Sequence, residues 1–225
     1  MPTPFSDMWR VHNMPTGELI AIEDIASAVC TPFANFFNGG LIRAEGGARE
    51  AVALWTNGGY FESNGLIIAI ASPSAREIGI ALGLIDAFNG VRDTTIINTG
   101  RIEARTAIDE QFNGGVVTRI VNTGVITGAI TLDDGADNIE NAAPITGNVQ
   151  LGNGEDLYDG RTGIVEGVVS GVAGDVSGGS FDGGAGVDVA DVDVRSVTDA
   201  VAFAQSDATA VLNVSGAASL ALANI

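Results

Sequence analysis

The sequence predicts an all-β chain: a right-handed parallel β-helix (β-solenoid) of about 19-20 residue rungs with a small mixed N-terminal cap. Three observations predict it. A five-residue signature recurs along the chain, a second short apolar run repeats one rung later, and the composition suits short stacked strands better than any other all-β arrangement.

The signature reads Asn38-Gly-Gly-Leu-Ile42, Asn57-Gly-Gly-Tyr-Phe61, Asn98-Thr-Gly-Arg-Ile102, Asn122-Thr-Gly-Val-Ile126, Asn141-Ala-Ala-Pro-Ile145 and Arg161-Thr-Gly-Ile-Val165. Its starts lie 19, 41, 24, 19 and 20 residues apart by position. The gap of 41 reads as two rungs, one having lost the signature around Ala75 to Leu82. Asn and Gly tolerate positive φ, so each copy is expected to turn the chain at the same place. The fifth position is always large and apolar. Strand side chains alternate, so Ile42, Phe61, Ile102, Ile126, Ile145 and Val165 are expected to point inward and stack. Gly128-Ala-Ile130-Thr-Leu132 then repeats as Gly147-Asn-Val149-Gln-Leu151, which sets Ile130 over Val149 and Leu132 over Leu151. A β-sandwich with glycine-rich hairpins has no reason to repeat one signature in register, whereas a solenoid buries its core only by such stacking.

Composition agrees. There are 31 Gly but 6 Pro, and 46% hydrophobic residues against 6% aromatic, which excludes a collagen-like or a disordered chain. Residues 36–198 are read as the solenoid. Residues 1–35 are read as a cap or assembly segment, in which Glu18 to Cys30 has the apolar spacing of a short strand followed by a helix. Residues 199–225, rich in Ala, Val and Leu, are read as apolar last rungs or an assembly segment.

Acidic residues number 28 and basic ones 10, all Arg, for a net charge of -18. Phosphate backbones and anionic membranes would be repelled, so no nucleic-acid partner is expected. No run of eighteen apolar residues exists and no transmembrane segment is expected. Met1 to Arg10 lacks a basic stretch followed by an apolar one, so an extracellular or cell-surface location is expected by a route without an N-terminal signal peptide. Packed acidic turns need solvent or bound cations, and Ca²⁺ suits oxygen ligands.

The acidic turns are themselves periodic. Leu132-Asp-Asp-Gly135-Ala-Asp137 is followed by Leu151-Gly152-Asn-Gly154-Glu-Asp156, placing Asp137 and Asp156 one rung of 19 apart. A third copy, Gly183-Gly184-Ala-Gly186-Val-Asp188-Val-Ala190-Asp191, matches the nonapeptide Gly-Gly-x-Gly-x-Asp-x-U-x except in the strength of its apolar position. Here the sequence resembles the RTX, or haemolysin-type, calcium-binding repeats of secreted bacterial proteins. The surrounding Asn-Thr-Gly-x-Ile text is similar to glycine-rich β-solenoids of autotransporter-like surface proteins. The resemblance spans about residues 36 to 195 and is most specific over 183–191. It implies Ca²⁺ held by Asp137, Asp156 and Asp188, with Gly135, Gly152, Gly154, Gly183, Gly184 and Gly186 forming the turns. Family arrays run consensus copies back to back. This chain does not, so one to three ions are implied rather than a ladder.

Catalysis finds little material. One His (His12) and one Cys (Cys30) exclude a zinc centre, and neither sits in a nucleophile motif. No enzyme is therefore expected. The enzymatic rival is a polysaccharide-cleaving β-helix with Glu103 and Arg105 on one strand face, a pair that reads equally as a surface ion pair. Trp9, Trp55, Tyr60 and Tyr158 are the aromatics read as available for sugar stacking. Taken together, the residues predict a structural or adhesive surface solenoid that self-associates, with a cell-surface glycan or another surface protein as a further partner. The alternative is a polysaccharide-binding or polysaccharide-cleaving β-helix, including a phage tail-fibre module.

Overall fold

A computed structural model describes residues 9–31, 34–83, 93–111, 115–152 and 156–159, and beyond them the strand backbone at 165–166, 169–171, 180–182, 189–198, 211–217 and 221–223. The first turn is β1 (Trp9–Asn13) and β2 (Glu18–Thr31), the second β3 (Ala34–Asn38) and β4 (Leu41–Thr56), and the third β5 (Gly59–Ser63), β6 (Leu66–Ile70) and β7 (Arg76–Leu82). Next come β8 (Thr94–Asn98) and β9 (Arg101–Glu110), then β10 (Thr118–Asn122) and β11 (Val125–Thr131). They are followed by β12 (Asn138–Asn141), β13 (Ile145–Thr146), β14 (Val149–Gln150), β15 (Leu157–Asp159), β16 (Val165–Glu166), β17 (Val169–Gly171), β18 (Ser180–Asp182), β19 (Val189–Thr198), β20 (Val211–Ala217) and β21 (Ala221–Ala223).

Every pairing is parallel, and the strands sort into two sheets. One runs β1-β3-β5-β8-β10-β12-β15-β18-β21; the other runs from β2 through β4, β6, β9 and β11 to β20. The chain is thus a β-solenoid, as the repeat predicts, and its core is aliphatic. In the first sheet Phe36, Phe61, Ile96, Ile120, Ile139 and Tyr158 stack inward. In the second, Ile42, Ile67, Ile102, Ile126, Ile145 and Val165 share one register column, and Ile130 lies on Val149. Leu132 and Leu151 follow in the same register and are both buried. Each turn alone would expose this column; stacking removes it from water at roughly 25 cal/mol per Å² of apolar surface.

Four expectations are corrected. Glu18 to Cys30 is not a strand followed by a helix: it lies within one 14-residue strand that pairs along its length with β4 and so belongs to the solenoid's first turn. The partner strand supplies the hydrogen bonds that a helix would have to make internally, and the alternating burial of residues 18–22 follows the strand period. Asn57-Gly-Gly-Tyr-Phe61 is not in register with the other signatures, because Phe61 stacks on Phe36 and Ile96 in the first sheet. The third turn's true signature is Ser63-Asn-Gly-Leu-Ile67, not a lost copy near Ala75 to Leu82, which is β7. The rungs are also unequal. Registered partners are 25 residues apart from Asn13 to Asn38, 24 from Asn98 to Asn122 and 19 from Asn122 to Asn141. The extra residues leave the stack as loops or lengthen the second-sheet strands, so the column stays in register while the sequence period drifts.

The signature glycine has a different physical role from the one expected. A Cβ on Gly40, Gly65, Gly100 or Gly124 would collide with the carbonyl oxygen of Gly17, Gly40, Gly65 or Gly100 in the preceding turn. These glycines exist because successive turns touch backbone to backbone, not because φ is positive.

The signature asparagine forms a buried side-chain ladder. Asn13 Nδ2 donates to Asn38 Oδ1 (2.8 Å) and Asn38 Nδ2 to Ser63 Oγ (3.0 Å). Asn98 Nδ2 donates to Asn122 Oδ1 (2.8 Å), Asn122 Nδ2 to Asn141 Oδ1 (2.8 Å), and Asn141 Nδ2 to the Tyr158 hydroxyl (3.3 Å). Ser63 is too short to reach the next step, and the buried Asn98 Oδ1 has no donor. Replacing Ser63 with Asn supplies an amide at the missing rung. S63N is expected to stabilise the fold by about 1 kcal/mol, the net worth of a buried hydrogen bond with its orphan relieved. A denaturant titration in which S63N melts at or below the parent concentration counts against the continuous ladder.

Candidate functional site

Two places gather polar chemistry: an acidic corner inside the stack and the outer face of the first three turns. The corner lies where β9, the turn after β11 and the starts of β12 and β15 meet. Asp137 is 1% exposed, Glu110 5% and Asp156 9%. Asp137 and Asp156 do stack one rung apart, as their spacing predicts. Their carboxylates, however, serve the backbone. Thr118 N–H donates to Asp137 Oδ1 (2.7 Å), and Asp137 N–H donates to Asp156 Oδ1 (2.9 Å). Thr118 Oγ1 also donates to Glu110 Oε2 at 3.3 Å. Asp137 Oδ2 is buried with no hydrogen-bond partner.

Burial, with Glu110, Asp156 and Asp133 adding negative charge, pushes the Asp137 carboxyl up to about 8 against the hydrogen bond from Thr118. Burial likewise pushes Glu110 up to about 7, with Asp133 and Asp134 adding repulsion. Asp133 is raised by burial and by Asp134. Burial and mutual repulsion thus disfavour the ionised forms of the carboxyl groups crowded in this corner, Asp137 and Glu110 most strongly.

The calcium loop that the resemblance implies would need more oxygens than these two carboxylates supply. A Ca²⁺ site takes six to eight oxygens converging on one point. Here Asp137 and Asp156 each turn one oxygen onto a backbone N–H, and among the described residues no three His, Cys, Asp or Glu side chains form a group that could hold a metal. Gly135 and Gly152 are needed for close approach: a Cβ would strike the Val116 carbonyl at Gly135 and the Asp133 carbonyl at Gly152, where φ is +92°. Gly154, Gly183, Gly184, Gly186 and Asp188, the most specific part of the calcium-repeat resemblance, lie outside the described residues.

The other sequence candidates separate. His12 is on β1 in the first sheet and the exposed Cys30 on β2 in the second. Glu103 pairs with Arg101, while Arg105 pairs with Glu77 (3.1 Å) and donates to the Ala75 carbonyl (2.7 Å). Glu103 and Arg105 are therefore members of separate surface ion pairs, each worth little in water, and Arg105 ties down the bend before β7.

On the outer face of the first sheet the structure assembles residues that sequence reasoning missed. Phe37, directly opposite His12 on the neighbouring strand, stacks on its ring with centroids 4.7 Å apart and planes 20° apart. Phe37 also meets Tyr60 at 5.8 Å. The Tyr60 hydroxyl donates to Glu62 Oε2 at 2.9 Å, and burial followed by this carboxylate raises the Tyr60 pKa. Beside this aromatic rib runs a groove of about 200 Å³ lined by His12, Met14, Pro15, Phe37, Glu62 and Asn64. Of the aromatics singled out for sugar stacking, Tyr158 is fully buried, Trp55 packs with Val52, Ile78 and Ala81, and Tyr60 stands on this face; the Trp9 side chain lies outside those described. The signal that would have found Phe37 is alternation counted back from the inward Asn38, which turns Phe36 in and Phe37 out.

The parallel sheets, stacked turns and inward columns define the chain as a β-solenoid protein. No protein-family model, no curated protein and no solved structure matches it.

Proposed function

We infer that the chain is a non-enzymatic structural and adhesive solenoid of a cell surface or extracellular layer, and that it associates with copies of itself. One observation carries the self-association. Among the described residues no strand pairs with the outer edges of β1 and β2, and within those residues each sheet presents a row of backbone N–H and C=O groups there. Apolar side chains flank those rows: Met14 is 64% exposed, Ile22 66% and Ile25 50%. Such an edge is a template for another strand, and a second copy supplies one of matching geometry. The net charge of -18 limits indiscriminate sticking, so association is directed to the edge rather than to the flanks. The aliphatic core and the buried side-chain ladder that tie successive turns together support a structural role.

The expected result is concentration-dependent assembly in sedimentation velocity, with rods or layers by electron microscopy. Ile22→Lys and Ile25→Lys alter exposed positions, so the fold should survive while assembly weakens by about tenfold or more. A strictly monomeric parent at high concentration, or lysine variants that assemble like the parent, would refute this reading.

A further inference from the structure

We propose that the groove beside His12, Phe37 and Glu62 binds an uncharged oligosaccharide, laid along the solenoid axis across the first three turns. The site goes beyond self-association: it lies on the lateral face, and although His12 and Met14 border the open edge of β1, Phe37 and Glu62 lie on β3 and β5, which are paired on both sides. The first observation is where the aromatics stand. In a chain with 6% aromatic residues and an aliphatic core, His12, Phe37 and Tyr60 occupy outward positions on three successive strands. Outward rings add little to the core, and aromatics gathered on one surface mark a contact site.

The second observation is the chemistry of the groove's lining. A sugar ring offers an apolar C–H face and a rim of hydroxyls, each able to donate and accept. The His12–Phe37 stack leaves ring edges along the groove. Among the described residues no ring covers the other face of His12. With Met14 and Pro15 this makes an apolar wall for the C–H face. Glu62, the registered partner of Phe37 on β5, and Asn64 complete the lining. Glu62 Oε2 accepts from Tyr60, which fixes the carboxylate and leaves Oε1 to accept from a sugar hydroxyl. The Asn64 amide can both donate and accept. An apolar surface with a few placed polar groups is the usual build of a small-molecule site.

The third observation is charge. The groove has a carboxylate and no Arg among its lining residues, on a chain of net charge -18. Uronates and sialic acids would be repelled, so the chemistry selects neutral sugars.

Isothermal titration of the full chain with chitohexaose, cellohexaose, maltohexaose and, as the acidic arm, a galacturonate hexamer tests the site. Saturable binding of at least one neutral hexaose is expected, with none for the galacturonate. F37A should weaken it about tenfold or more and E62Q severalfold, with each variant's thermal midpoint measured alongside. E62Q keeps the shape of the side chain, so it reports on the groove even if F37A folds poorly. The proposal is overturned if no neutral hexaose binds the parent up to about 10 mM, if only the galacturonate binds, or if E62Q and folded F37A bind as the parent does. Sedimentation of the same samples separates this outcome from the self-association reading, which neither substitution touches.

Discussion

Raising the pH from 5 to 9 is expected to lower the melting temperature of this protein, and Asp137→Asn is expected to remove much of that loss. The sign follows from the acidic corner. Asp137 has an ordinary pKa of 3.8 and is pushed up to about 8 in the fold; Glu110 goes from 4.5 to about 7. The folded state therefore holds protons that the unfolded chain releases near pH 4. Stability from these groups is fully present below the unfolded values and is lost as pH rises through the folded ones, so the window is about pH 4 to 8. Asp137 is 1% exposed, and a shift of this size corresponds to roughly 6 kcal/mol as an upper bound, shared with Glu110 because the two groups titrate together. Asn at 137 keeps an oxygen for the Thr118 N–H and places an uncharged NH₂ where the orphaned Oδ2 now sits. At pH 9 D137N should therefore melt several degrees above the parent, and the two should converge near pH 5. Melts in calcium and in chelator at pH 9 complete the test. A large rise with calcium would mean that a cation takes the place of the proton, and a flat parent profile would mean the corner is not protonated at all.

The second large effect is expected at Asn122. Its side chain is fully buried, accepts from Asn98 and donates to Asn141, both at 2.8 Å. Asn122→Ala removes both bonds and leaves two buried amide groups without their main partner, a loss of roughly 2 to 4 kcal/mol. Asn122→Asp is expected to be worse at pH 7 despite its matching shape, because a carboxylate there has no N–H to give the Asn141 oxygen and carries an unpaired buried charge. Lowering the pH protonates that carboxylate, so the gap between N122D and N122A should narrow or reverse in acid. Chemical denaturation of both variants at pH 4 and pH 7 checks this. Equal stability of N122D and the parent at pH 7 would show that the ladder tolerates charge and is not the close-packed column described.

The architecture was readable from the signature because its positions have one physical meaning each. Ile42, Ile102, Ile126 and Ile145 recur since a stacked apolar column must be filled in every turn, and the expectation that they align with Val165 agrees with the register. The third turn was misread for a matching reason. Asn57-Gly-Gly copies the letters of the signature but sits before the strand that carries Phe61, whereas Ser63-Asn-Gly-Leu-Ile67 fills the column with a serine in place of asparagine. Letter identity is a weaker guide there than the inward column, which tolerates Ser because its neighbours still pack.

Of the candidate site, the one-rung spacing of Asp137 and Asp156 was legible, but the direction of their oxygens was not. A Gly-x-Asp turn presents the same residues whether its carboxylate gathers a cation or caps a backbone N–H in the next turn. The rise of the stack brings Thr118 N–H within 2.7 Å of Asp137, so one of its oxygens caps the backbone. The aromatic rib was likewise hidden, since His12, Phe37 and Tyr60 are 25 and 23 residues apart by position and meet only when rungs of unequal length are laid over one another.

By itself, then, the sequence determined the β-solenoid, its aliphatic columns and its acidity, because repetition, side-chain alternation and composition act locally and add up along the chain. Only the tertiary structure decided the register of each turn, the buried acidic corner and the groove on the outer face. Those depend on how far each rung's extra residues loop out before the next strand docks, a long-range condition that no short window of residues contains.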